Sequence, residues 1–410
     1  MIDLLKVDSL DEAKEKLLFE CKKANFACDT EEISIASAIG RVLAEDVKSK
    51  INVPDFNRSI VDGYAVIASD TNAANDSVPV FLNIVGESQM GEECLAEIKS
   101  GECVYVPTGG MIPKSATAAI PIENTENFGE NKIVVYSAVG DSKNLIFAGD
   151  DTKVGDVVLS KGKRITPADL GLLSSIDVDK VKVFKKLNIV IISTGDELVS
   201  SGEKLSKGKI KDVNTAVLVS LAQEIGFNVT NKFLIKDNED ELRKLISDSA
   251  LNNDIVITSG GSSKGKKDST SKLINEIAST GVLTHGIAIK PGKPTITGFD
   301  HKTKTMLIGL PGHPVASAVL FNMLVVSTYN ALVGSKQKEL KCEGVMSENI
   351  ASSPGCMTIR LVNIDENFNI SLIYGKSGLI HTLSHADGYI ILDKDCEGIN
   401  KGDRVTVYYI

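Results

Sequence analysis

The acidic residues of this 410-residue chain that could do chemistry stand in short loops rather than in charged runs. In 193-STGDEL-198, Asp196 and Glu197 follow the apolar run LNIVIIS, with Gly195 just ahead of them. Two adjacent carboxylates at a strand terminus suit magnesium or general acid/base work; solvated surface acids are the plain alternative. Asp237 and Asp268 each precede a helical pattern, NEDELRKL and STSKLINEI. Either could bind metal, and either could simply cap the helix that follows. All of these acids occupy comparable loop positions in one strand–helix series, so they could converge on a single crevice.

Groups that could hold an anion accompany them. In 259-SGGSSKGKKD-268, Ser259, Gly260, Gly261 and Ser262 leave an apolar run and enter a helix, where consecutive amides can cradle an oxyanion. Gly260, Gly265 and Lys266 nearly spell a phosphate-binding P-loop, but Lys267 stands where Ser or Thr must hold magnesium, so the P-loop NTPase reading fails. A tight turn with glycines for geometry is the remaining alternative. In 289-IKPGKP-294, Lys290 and Lys293 lie on a turn stiffened by Pro291 and Pro294, and fixed lysines lose less freedom on binding a compact anion. An ordinary turn with two solvated lysines would read the same. The segment 310-LPGHPVASA-318 opens a long helix, with Pro311, Gly312 and Pro314 at its start. His313 reads as a surface or packing residue, because the five histidines offer neither a triad partner nor metal-ligand spacing. Two further loops, 54-PDFNRSIVDGYAV-66 and 107-PTGGMIP-113, are dense in turn residues, yet turn chemistry leaves Phe56, Ser59 and Tyr64 unexplained.

The surrounding pattern says what must position these residues. Ser9 and Glu12 form a capping box, and Leu10, Ala13, Leu17 and Cys21 follow at helical spacing to about Lys23. From Val53 to Val139 short apolar runs broken by Gly, Pro and Asn predict a β-rich module. A helix is expected after Thr166-Pro167. From Leu187 to Gly334 strands alternate with helices, which predicts βαβ units around a mostly parallel sheet. The last stretch, ending GDRVTVYYI, predicts a small β barrel or sandwich. The expected fold class is therefore multidomain α/β plus β. Its parts are a discontinuous N-terminal mixed domain (1–50 and 140–182), the β-rich module (51–139), the α/β domain (183–334) and a C-terminal β barrel (335–410).

Composition narrows the partners. A net charge of −9, with aromatics at 5% and no Trp, argues against nucleic acid, whose binding needs basic residues and stacking platforms. The seven cysteines (Cys21, Cys28, Cys94, Cys103, Cys342, Cys356, Cys396) are scattered and never form CxxC, against a disulfide framework or a zinc site. The opening MIDLLKVDSLDEAKEKL lacks a basic region followed by an apolar one, and no segment reads as long enough to cross a membrane. A soluble, cytoplasmic protein is expected.

In combination these segments resemble the molybdopterin molybdenumtransferase family, bacterial MoeA and the E domain of gephyrin. The resemblance runs in order along nearly the whole chain: PDFNRSIVDGYAV, PTGG, GDD, STGDEL, Asp212-x-Asn214, SGG with its Asp, KPGKP, LPGHP and SGLIHTLSHADGYI. It departs at Lys264 and Ser269, where the family has an apolar and an aromatic residue, and at Asp150, where Glu is common. The resemblance implies a MoaB/MogA-like α/β domain and a homodimer with its site between the α/β domain of one subunit and the β module of the other. It implies a reaction in which molybdate displaces the adenylyl group of adenylyl-molybdopterin, with Mg2+, giving molybdenum cofactor and AMP. By motif it carries over Asp62, Thr108, Asp151, Glu197, Asp237 and Asp268 as the acidic and polar set, Asp62 and Thr108 coming from the partner subunit. Asp237 and Asp268 are its metal candidates. Lys290, Lys293 and Pro294 fall on its molybdate pocket, with Arg360 and Ser377 as far-wall candidates. The molybdopterin adenylyltransferase and recipient molybdoenzymes are the further partners it implies. A molybdopterin-binding carrier or scaffold without catalysis is the alternative, and retention of the matched acids favours the enzyme.

Overall fold

The computed structural model describes residues 7–260, 269–335 and 340–410. The chain divides into two compact units: Met1–Glu45 with Lys161–Thr166 and Lys180–Ile410, and Asp46–Ser160 with Pro167–Asp179.

The first unit is built on a six-stranded sheet in the order Asn228–Ile235, Asn188–Thr194, Ile255–Ser259, Thr305–Leu310, Ile296–Asp300, Val282–His285. The first four strands are parallel and the last two antiparallel to their neighbours. Alternate residues of the central strand feed opposite faces. Ile189 and Ile191 join one core with Leu10, Leu17, Phe299 and Leu320, whereas Val190 and Ile192 join another with Leu242, Ile246 and Leu273. Burial on both faces explains why LNIVIIS is a continuous apolar run rather than an alternating one. Each large apolar side chain so buried contributes about 1.5–3 kcal/mol.

The helix Leu10–Lys23 begins at the expected capping box. Ser9 N–H donates to Glu12 Oε2 at 2.7 Å, and Glu12 N–H donates to Ser9 Oγ at 3.2 Å. Its buried residues are Leu10, Ala13, Leu17 and Cys21, as the spacing predicts. The helical run Pro314–Val333 differs from expectation: it is 20 residues long and apolar enough to cross a membrane by length and composition. Two-thirds of it is buried in this core, which accounts for its composition. The strand Ile296–Asp300 also went unread in the sequence.

The C-terminal strands Met357–Ile364, Asn369–Leu372, Lys341–Met346, Arg404–Tyr409 and Gly388–Leu392 pair in that order, and the last closes on the first as a five-stranded barrel. A short strand from the α/β region, Ile289–Lys290, adds in parallel to Met357–Ile364 (Ile289↔Met357, Lys290↔Thr358).

The second unit holds a six-stranded sheet, Ala118–Pro121, Gly63–Val66, Glu102–Val106, Val80–Glu87, Lys132–Val135, Thr125–Asn127, and the helix Pro167–Ser175. Gly63 explains part of the VDGYAV motif. A Cβ there would lie 1.9 Å from the Ile120 carbonyl oxygen of the neighbouring strand, so only glycine permits the pairing.

Candidate active site

In an open α/β sheet, ligands bind beyond strand carboxyl ends where successive connections leave in opposite directions. Here that point lies between Asn188–Thr194 and Ile255–Ser259, because the strand Asn228–Ile235 flanks one side and Thr305–Leu310 the other. The loops holding the candidate acids and glycines leave from those same strand ends.

The backbone is tightly determined there. Gly260 has φ +103°, and a Cβ on it would sit 2.2 Å from the Thr194 carbonyl oxygen. Geometry alone therefore requires glycine at this position, whatever it binds. Gly312 closes on the other side, its own Cβ position 3.7 Å from Gly260 Cα. Asn214, at the start of the helix Asn214–Glu224, ties the two loops: its Nδ2 donates to Ser259 Oγ and to the Gly312 carbonyl, both at 2.8 Å. The Gly312 contact fixes which way the amide points, since its oxygen could not face a carbonyl. Asn214 Oδ1 is buried with no hydrogen-bond partner. Pro311 is buried, and its carbonyl accepts from Ser317 Oγ at 2.5 Å, while Pro314 occupies the first helical turn. Asp212 accepts from Thr215 N–H and Oγ1 at 3.1 and 2.6 Å and from Ser193 Oγ at 3.2 Å.

The acids separate into those brought together and those not. Asp237 N–H donates to Asp196 Oδ1 at 3.2 Å, and Thr194 Oγ1 donates to Asp237 Oδ1 at 3.0 Å. Glu197 folds back over Gly195, its Oε2 within 2.9 Å of where a Cβ on Gly195 would stand. The capping question at Asp237 is answered by its neighbour: Asn238 accepts from Asp240 and Glu241 N–H at 3.1 and 3.2 Å and is the cap of Glu239–Ala250. Gly261, Ser262 and Asp268, with Lys264, Lys266 and Lys267, lie outside the described residues. Among the described residues no group of three or more His, Cys, Asp or Glu side chains is placed to hold a metal. The carboxylates of Asp196 and Asp237 are hard oxygen donors, a set that suits Mg2+ rather than a thiolate- or imidazole-seeking ion. Burial pushes the Cys103 thiol up to about 12 and the Cys21 thiol higher still, so these two stay protonated at neutral pH.

The lysine loop is held by the barrel. Lys290 pairs through its backbone with Thr358, and its Nζ donates to Ser353 Oγ at 3.0 Å. The carbonyl of Lys293 accepts from the N–H groups of Ile287 and Thr295, both at 2.9 Å, and the side chains of Lys293 and Pro294 are exposed. Arg360 is half-buried on the same barrel strand as Thr358, and its Nε has no hydrogen-bond partner. Ser377 Oγ lies 2.8 Å from His313 Nδ1, a contact that the sequence reading of His313 as a surface or packing residue passed over. Lys209 was missed as well. Its ammonium donates to the Asp196 carbonyl, and one lysine among four in 204–211, eleven residues beyond STGDEL, carries no signal of that role.

In the second unit, Asp62 Oδ1 accepts from Thr108 N–H at 2.8 Å, so these two meet. Neighbouring loops are laced around them. Gly109 N–H donates to the Ser59 carbonyl at 2.8 Å, Ala148 N–H to Asn57 Oδ1 at 2.9 Å, and Asp151 N–H to the Val53 carbonyl at 3.0 Å. Asp62, Thr108 and Asp151 all have exposed side chains. Ser59 Oγ caps its own turn, donating to the Val61 carbonyl at 2.7 Å, and Tyr64 packs edge-on to Tyr105, centroids 5.7 Å apart. Those contacts account for two of the residues that turn chemistry left unexplained.

Comparison with known proteins covers almost the whole chain. Residues 8–176 match the MoeA N-terminal region (domain I and II), residues 190–331 a probable molybdopterin binding domain, and residues 343–410 the MoeA C-terminal region (domain IV). A putative molybdopterin biosynthesis protein of Methanocaldococcus jannaschii is 35% identical over 407 residues, 97% of this chain and 96% of its own. A molybdopterin molybdenumtransferase of Haemophilus influenzae is 32% identical, covering 97% of this chain and 98% of its own. The crystal structure of the molybdopterin biosynthesis MoeA protein from Pyrococcus horikoshii OT3 superposes with a TM-score of 0.85 at 29% identity, over 99% of this chain and all of that one. With ordered motifs, domain series and fold in agreement along its length, the chain belongs to the MoeA family, the molybdopterin molybdenumtransferases.

Proposed function

We propose that this protein inserts molybdate into adenylyl-molybdopterin, releasing AMP and forming molybdenum cofactor, in the cytoplasm and as a homodimer. The observation that carries the reading is the crevice at the turning point of the sheet. There the Asp196 carboxylate accepts from the Asp237 backbone N–H, beside two glycine loops clamped by Asn214.

Both substrates are anions, so the first demand is electrostatic. Two like unit charges ~4 Å apart repel by about 4 kcal/mol at an effective dielectric of about 20. Lys290 and Lys293 offset that repulsion for molybdate, with Arg360 and Ser377 on the far wall. The amides around Gly260 and Gly312 face the phosphates. Asp196 and Asp237, joined by Asp268, would hold Mg2+, which when bound neutralises the pyrophosphate and polarises the scissile bond. Asp62 and Thr108 would reach the same substrate from the partner subunit, and Asp151 and Glu197 complete the acidic and polar set. Holding two anions at reaction distance is the main catalytic task of these residues. The molybdopterin adenylyltransferase would supply the substrate, and recipient molybdoenzymes would take the product.

Single-turnover conversion of adenylyl-molybdopterin tests this, with AMP release followed with and without molybdate and Mg2+. AMP release that needs both, together with activation of an apo-molybdoenzyme, is the expected result. Tight substrate binding with no AMP release would instead make the protein a carrier or scaffold.

A further inference from the structure

A hydroxyl has one proton, and a tetrahedral oxyanion offers only acceptors. If Ser377 gave its proton to His313, it would turn lone pairs toward the anion and repel it. The contact between them therefore decides what Ser377 can do.

His313 is well placed to settle that question. Its Nδ1 lies 2.8 Å from Ser377 Oγ. It occupies the N-cap of the helix beginning at Pro314 yet makes no side-chain cap bond, so its ring is not engaged with the helix amides. The backbone holds both partners in register: Val315 N–H donates to the Ser377 carbonyl at 3.3 Å, and Ser317 N–H to the His313 carbonyl at 3.0 Å. The ring also packs on the turn beyond Ser377, with Cδ2 3.7 Å from where a Cβ on Gly378 would stand.

We propose that His313 is a positioning residue for oxyanion binding: its Nδ1–H donates to Ser377 Oγ and leaves the serine proton directed at the oxyanion. The inference rests on the molybdate pocket proposed above. A neutral ring protonated on Nδ1 and an imidazolium both fulfil the role; a ring protonated only on Nε2 reverses it. His313 does not touch the anion, and its whole effect passes through Ser377.

The test is a double-mutant cycle on the full chain: wild type, His313→Leu, Ser377→Ala and the double variant, with His313→Asn as the conservative control. Molybdate affinity is read by calorimetry, and KM for molybdate and kcat by AMP release. Each single variant is expected to weaken molybdate roughly tenfold, the effect of one hydrogen bond to a charged group, and to raise KM for molybdate in step. The double variant should bind no more weakly than Ser377→Ala, and His313→Asn, which keeps an N–H near the Nδ1 position, should recover most of the affinity. An unchanged His313→Leu, or losses that add in the double variant, would overturn the inference. Wild type that binds molybdate without releasing AMP would defeat the functional reading, while the calorimetric cycle would still decide the role of His313.

Discussion

Replacing Asn214 with Leu separates what the clamp does for the fold from what it does for the ligand. The substitution keeps roughly the side-chain volume and removes two hydrogen bonds, to Ser259 Oγ and the Gly312 carbonyl, each 2.8 Å long. Their loss costs about 1–3 kcal/mol in sum. The same change removes Oδ1, a buried oxygen without a partner, and restores about 1–3 kcal/mol of desolvation. The two nearly cancel, leaving about 2 kcal/mol at most once the exposed end of Gly312 is hydrated. In a domain of this size that moves the melting midpoint by under about 8 °C. The loops at Gly260 and Gly312, no longer tied, should bind adenylyl-molybdopterin at least tenfold more weakly, a difference of ~1.4 kcal/mol. Thermal melting and KM measured on the same preparation check both numbers. A variant that melts ~15 °C lower yet keeps its KM would show Asn214 to be a core strut, and the reasoning would fail.

Gly260→Ala forces a side chain onto φ +103° and into the Thr194 carbonyl, so it should lower both melting temperature and substrate affinity; an unchanged protein would contradict the loop geometry. Mixing Asp62→Ala and Asp237→Ala, each nearly inactive alone, should restore roughly a quarter of wild-type activity if sites are shared across a twofold axis, because half the dimers are mixed and each has one intact site. Activity that stays at the level of the single variants would place both acids in one subunit's site or outside it. Burial pushes the Asp254 carboxyl above its ordinary value, against the N–H of Asn188 that it accepts at 2.7 Å. Its folded pKa exceeds the unfolded one near 3.9, so stability falls as pH rises between the two and stays lower above. Asp254→Asn, which can keep the acceptor, should therefore melt higher than wild type at pH 7, and the gain should vanish as pH drops below about 4; an equal gain at both would refute the assignment.

Local signals were read well where one residue's chemistry decides the structure. The Ser9–Glu12 box started its helix as expected, and the βαβ periodicity gave the sheet whose turning point gathers Asp196 and Asp237. Signals that depend on distant partners were not legible. Lys290 looks like part of a turn because the strand it belongs to exists only against Met357–Ile364, some 70 residues later. Ile296–Asp300 hides for a related reason: an antiparallel strand appended to a parallel sheet has no crossover helix to announce it. At Asp237 two readings competed until Asn238 was seen to satisfy the helix amides. His313 is the exposed residue its sequence suggests, and its hydrogen bond is not legible there because the partner, Ser377, stands 64 residues on.

The strand Ile289–Lys290 belongs by sequence to the α/β region and by hydrogen bonding to the barrel. Register in a ladder is discrete, and a slip by one residue turns each side chain to the opposite face. Domain exchange between relatives would thus transplant a lysine's aim along with a barrel, unless both sides of the ladder travelled together. A chimera cut at the end of the long helix would set Lys290 against a foreign barrel strand, and the lysine's aim would follow the new register.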